Sequence, residues 1–203
     1  LARYQTAWAA YFGDMPKPLK VKPGQADDNV TVNYARLIVD VGAADLFGQE
    51  PKFDLDPNSN EPTPAQTWLD EVWRRNRKQI LLQKAAINGG VCGHVFIKIV
   101  PRQNDVPRLI LLSPEYVTVV TDPDDIDLVW RYLIQYTARD PQTGKPLTVR
   151  QVIDRDEVGR WSVVDQVAKG RGPWETRQSI RWGYPWPPII DCQNLPSPNE
   201  YYG

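Results

Sequence analysis

The sequence predicts an α+β fold, with N-terminal helices packed on an antiparallel β-sheet or small β-sandwich. Three features of its 203 residues carry that expectation. Apolar residues recur at steps of three and four as far as Gly90. After Gly90 the period changes to two. From there on, short alternating runs are separated by proline, glycine and aspartate turns, and successive strands on short turns pair antiparallel, because parallel pairs need long crossovers. The change of period divides the chain into a mainly helical part, 1–90, and a mainly β part, 91–203, which closes on a proline-rich run.

A first helix is expected from Leu1 to Gly13, with Tyr4, Ala7, Trp8, Tyr11 and Phe12 on one face. Met15 to Gly24 reads as an extended connector of prolines and lysines. A second helix spans Asn33 to Phe47, with Leu37, Ile38, Val41, Ala44 and Leu46 as its apolar stripe and Gly48 as its stop. Asp54 to Pro64 is a surface loop. The third helix reads as the longest, Ala65 to Asn88, stopped by Gly89 and Gly90. Its expected buried side is Trp68, Leu69, Val72, Trp73, Ile80, Ala86 and Ile87. A strand follows from Val91 to Pro101. Further strands are expected at Arg108–Leu112, Tyr116–Val120, Leu128–Thr137, Leu147–Arg155, Arg160–Val167 and Glu175–Ile180. Gly183 to Pro198 is an extended, rigid run.

Composition narrows the functions. The 24 basic and 25 acidic side chains leave a formal net charge of -1, which argues against bulk electrostatic attachment to nucleic acid or an anionic membrane. No apolar stretch reaches the ~18 residues that span a bilayer. Cys92 and Cys192 suit a reducing compartment better than a disulfide staple. The chain opens at Leu1 without an initiator methionine and stops at Gly203 after prolines, so it reads as a fragment or processed piece.

Reactive chemistry finds little support. His94 is the only histidine. With Cys92 it forms the best nucleophile–base pair in the sequence, yet on one strand the two would stand side by side about 7 Å apart. Zinc-ligand spacing is missing. Asp122, Asp124, Asp125 and Asp127 resemble the start of a calcium loop, but Asp127 and Leu133 stand where glycine and glutamate belong. Gly89, Gly90 and Gly93 follow a helix, the reverse of a phosphate-cradling loop. No enzyme, cofactor or metal is expected. Arg74, Arg75, Arg77 and Lys78 form a basic cluster that reads as a solvated or subunit-facing side rather than a nucleic-acid contact.

The eight tryptophans carry the positive signal. Trp161, Trp174, Trp182 and Trp186 crowd the last third among prolines and glycines. Such residues anchor interfaces more often than they bind ligands. The candidate subunit interface is Trp8, Tyr11, Trp182 and Trp186. The alternative is a tryptophan-rich module that binds a glycan or peptide.

The order of short motifs resembles the N-terminal, wing part of portal proteins of long-tailed (siphovirus-type) bacteriophages. The similar features are Tyr11-Phe12-Gly13, Asp28-Asn29-Val30 leading into Asn33–Asp40, and Leu46-Phe47-Gly48 followed by Glu50-Pro51. Asn88-Gly89-Gly90, Cys92–Lys98, Ser113–Val117, Pro187–Ile190, Gln193–Pro196 and Tyr202-Gly203 continue the pattern. The resemblance implies a structural protein of the virion, assembled in the host cytoplasm. It implies a homo-oligomeric ring, a dodecamer in the intact protein, at the capsid vertex, with double-stranded DNA passing through its channel. Capsid, terminase and tail connector proteins are the implied partners, no membrane is involved, and there are no catalytic residues to carry over.

Overall fold

The computed structural model describes residues 2–14, 22–24, 32–55, 57, 61–170 and 172–193. Helices α1 (Ala2–Phe12), α2 (Tyr34–Phe47), α3 (Pro64–Arg75) and α4 (Lys78–Cys92) come first. Strands β1 (His94–Arg102), β2 (Asp105–Leu112), β3 (Val117–Thr121), β4 (Val129–Arg139), β5 (Pro146–Arg155), β6 (Trp161–Lys169), β7 (Glu175–Arg181) and β8 (Ile189–Gln193) follow. The fold is α+β, with two antiparallel sheets. One has the order β2-β1-β8 and the other β3-β4-β5-β6-β7. The chain forms two compact units. The first holds the helices and Pro101–Arg108, the tip of the β1–β2 hairpin; the second holds Phe96–Val100 and the chain from Leu109 onward.

In the helical unit, Asn33 sets the start of α2. Its Oδ1 accepts from the Arg36 amide at 2.9 Å, capping the helix, while its Nδ2 donates to the Tyr11 carbonyl at 2.7 Å. One side chain therefore fixes both the end of α1 and the beginning of α2. The face that α2 buries differs from the expected stripe. Ala43 is buried, and Val39 and Phe47, four residues to either side, are half-buried. Leu37, Ile38 and Val41 lie 53%, 70% and 50% exposed. The periodicity located the helix correctly, but α2 carries apolar residues around most of its circumference, and the side of Val39, Ala43 and Phe47 turned inward. Gly90 explains why: a Cβ there would lie 3.0 Å from Val39 Cγ1, so close approach selects small groups at this crossing.

The expected single helix from Ala65 is two. Thr63 caps α3 by accepting from the Gln66 amide at 3.2 Å, and Pro64 occupies the first turn. Arg77 then adopts a left-handed conformation (φ 52°, ψ 61°) that no helix interior tolerates. Buried Asn76 holds this elbow, its Nδ2 donating to Val72 O at 2.8 Å and Pro107 O at 2.9 Å. Trp68 and Ile80, expected inside, are exposed, while Val72 and Leu81 are buried. Gly89 and Gly90 do not stop α4. The stop is Gly93 (φ 75°), whose amide donates to the Gly89 carbonyl. The first strand accordingly begins at His94 rather than Val91.

The β unit follows the expected strands closely and adds β8, which lies inside the run read as merely extended. The Ile99 amide donates to Pro188 O at 2.8 Å where β8 joins β1. Between the sheets lies one core cluster of Phe96, Tyr132, Ile134, Ile153, Trp161, Trp182 and Ile189. Phe96 meets Tyr132 edge-on at 6.3 Å, and Tyr132 meets Trp161 at 6.1 Å. Burial pushes the Tyr132 hydroxyl up to about 12.

Candidate interaction surfaces

The aromatic face of α1 is built as the helical spacing predicts. Trp8 stacks on Phe12 at 5.5 Å and meets Tyr11 edge-on at 5.6 Å. Tyr11 is buried, and its hydroxyl donates to Asp40 Oδ1 at 2.7 Å. Burial and the neighbouring Asp40 raise the Tyr11 pKa, whereas the hydrogen bond from Tyr11, with help from Arg36, holds Asp40 below the usual carboxylate range. Trp8 is half-buried and Phe12 exposed.

A second aromatic group caps the β unit. Trp182 is buried, with its backbone amide on the Trp161 carbonyl at 2.9 Å. Tyr184 and Trp186 stack on each other at 4.9 Å, and Trp186 meets Trp182 edge-on at 5.6 Å. Tyr184 and Trp186 are exposed, so a buried ring supports two outward rings. The Trp182 indole N–H is buried without a hydrogen-bond partner. The other two tryptophans of this region serve differently. Trp161 is core, and Trp174 lies under the Arg150 guanidinium at 3.9 Å.

The outward side of α2 is the third surface. Tyr34, Ile38 and Val41 follow one another at steps of four and three, with Leu37 beside them, and all four are at least half exposed. Soluble monomers seldom display contiguous apolar patches of this kind outside interaction sites.

The basic cluster is largely neutralised within the helical unit. Glu71 accepts from Arg74 at 2.7 Å and from Arg75 at 2.8 Å, and these bonds bring its carboxyl down to about 2. Lys78 pairs with Glu50 at 2.9 Å. Cys92 closes α4 and His94 opens β1, so the two do not share a strand, and His94 is fully buried. Asp122 accepts from Trp130 Nε1 at 2.9 Å and from the Asp124 amide at 2.8 Å, which makes the acidic string a closed turn. Among the described residues, no three His, Cys, Asp or Glu side chains gather as metal ligands, and no helix is long and apolar enough to cross a membrane.

The two compact units carry exposed aromatic and aliphatic side chains and, among the described residues, no gathered metal ligands. The profile of the family described as phage portal protein, SPP1 Gp6-like, matches residues 1–194, and the chain belongs to that family. Portal proteins are structural components of the virion and form an oligomeric ring at the capsid vertex through which DNA passes. No curated protein matches the chain significantly.

Proposed function

We propose that this chain supplies the outer wing of a portal subunit and meets neighbouring copies through its apolar surfaces. Residues 1–90 and 91–203 act together as one wing, itself without catalytic activity. Trp8 and Trp186 present their rings to adjacent copies, while Tyr11 and Trp182 hold those rings in place from beneath. The ring is a dodecamer assembled in the host cytoplasm. The intact protein meets capsid, terminase and tail connector proteins, and double-stranded DNA passes through its channel.

The observation that supports this reading best is the exposed face of α2, with Ile38 at 70% exposure among other apolar neighbours. A ring of more than two copies needs a heterologous interface, in which one patch meets a different patch on the next subunit. The α2 faces of two copies therefore do not meet each other. The test is Ile38→Asp and, separately, Trp186→Ala in the full-length subunit, read by native mass spectrometry and sedimentation. Loss of rings with an unchanged melting temperature is expected. Normal rings from both variants, or an efficient disulfide between Ile38→Cys copies, would overturn the reading.

A further inference from the structure

The inner face of the five-stranded sheet carries one row that does not match its neighbours. Across β3 to β7 the paired residues Val117, Ile134, Gln151, Asp165 and Gln178 lie side by side. The rows to either side are mostly apolar: Val119, Tyr132, Ile153, Val163 and Ile180 on one, Tyr136, Val149 and Val167, ending at Glu175 of β7, on the other. Three polar side chains thus sit in the middle of a face that otherwise faces core.

A cleft of about 550 Å³ opens over this row, within the range of ligand sites. Lys98 of β1, Ser113 and Arg177 reach it as well, and Ile110–Leu112 of the edge strand β2 forms a wall. Gln151 Nε2 donates to Asp165 Oδ1. That leaves Gln151 Oε1 buried with no partner, and the Ser113 hydroxyl is buried and unpartnered too. Leaving such buried groups unpaired is costly. Lys98 is half-buried, and desolvation lowers its pKa against the attraction of Asp165. Among the described residues no carboxylate forms an ion pair with it.

The cleft therefore holds two cations against one carboxylate that is already engaged, a hydroxyl able to donate, and an amide oxygen waiting for an N–H. That set matches an acidic side chain on an extended peptide. Lys98 and Arg177 supply the cations for such a carboxylate, and the buried Ser113 hydroxyl and Gln151 Oε1 line the same cleft without partners. We infer that the cleft beside Lys98, Ser113 and Gln151 receives an aspartate or glutamate from a second copy of this chain. The choice of a second copy rests on the ring reading above, because a heterologous interface places a different surface of the next subunit against each wing.

Two measurements on the full-length subunit test this. Rings assembled from mixed 14N and 15N subunits are treated with a zero-length carbodiimide, which joins an amine to a carboxylate in contact with it. An interchain crosslink from Lys98 to an aspartate or glutamate is expected. Crosslinking only to Asp165 of its own chain, or none, overturns the inference. The second measurement uses Lys98→Met. That variant should weaken ring association about tenfold or more, as loss of one partner of a buried charged pair does. The unassembled subunit should melt at the same or a higher temperature, since a half-buried unpaired cation has been removed. Unchanged assembly overturns the inference. Failure of the unmodified subunit to form rings would instead count against the ring reading itself.

Discussion

The Tyr11 hydroxyl donates to Asp40 Oδ1 at 2.7 Å and fastens α1 to the middle of α2. Because the bond holds Asp40 below its ordinary value of 3.8, the attachment is sensitive to acid. A carboxyl whose folded pKa is depressed contributes stability above its unfolded pKa and loses it as pH falls through the folded one. The melting temperature of the helical unit should therefore drop on acidification below about pH 4, and Tyr11→Phe should flatten that part of the profile. Equal acid slopes in the two proteins would contradict this role for the pair.

The crossing of α2 and α4 depends on the missing side chain at Gly90. Gly90→Val should destabilise by about 1–3 kcal/mol, the usual cost of overpacking. Val39→Ala in the same chain should recover part of it, since Val39 Cγ1 is the nearest obstruction. A double-mutant cycle in urea measures the coupling, and strictly additive effects would show that the two residues do not meet.

Arg77 holds a left-handed conformation at the α3–α4 elbow. A side chain there costs roughly 1–2 kcal/mol, and glycine adds about 0.5–1 kcal/mol of backbone entropy. Arg77→Gly should thus be stabilising by up to about 1 kcal/mol. Asn76→Ala should act oppositely, removing the side-chain donor to Pro107 O while Val72 O keeps the Asn76 backbone amide, at a cost of about 1–3 kcal/mol. Thermal melts of the two variants must move in opposite directions.

Ile153 is completely enclosed at the centre of the β core. Truncation to alanine should cost about 2–5 kcal/mol, and Ile153→Val about 0.5–1.5 kcal/mol. Denaturant titration followed by tryptophan fluorescence reports on this unit, because Trp161 and Trp182 share the cluster. A loss below 1 kcal/mol for the alanine variant would mean that the core collapses around the gap.

The β half was legible because alternation and turn residues act locally: Gly144, Gly159 and Gly170 all take the left-handed conformation their turns require. The misreadings have tertiary causes. The break at Asn76 depends on the carbonyl of Pro107, far away in sequence, and nothing in the local pattern announces it. The buried side of α2 was decided by how closely α4 approaches, not by which residues are most apolar. Strand β8 was hidden by prolines that mark an extended chain but do not say what it pairs with. Of the four aromatic positions singled out in the sequence, Trp186 is exposed and Trp8 half-buried while Tyr11 and Trp182 are buried. Which ring turns outward depends on packing that the crowding of Trp, Tyr and Pro does not show. The Gln151–Asp165 row was not readable, because its members come from strands whose register only the folded sheet defines.

Strand β1 leaves the last helix and runs between β2 and β8. A pull along that strand does not peel one edge open bond by bond. It must shear two ladders at once, so the junction resists tension far better than a strand at a sheet's margin would. The proline-rich return of the chain to form β8 thus works as a seam stitched along the piece of backbone that would otherwise part first.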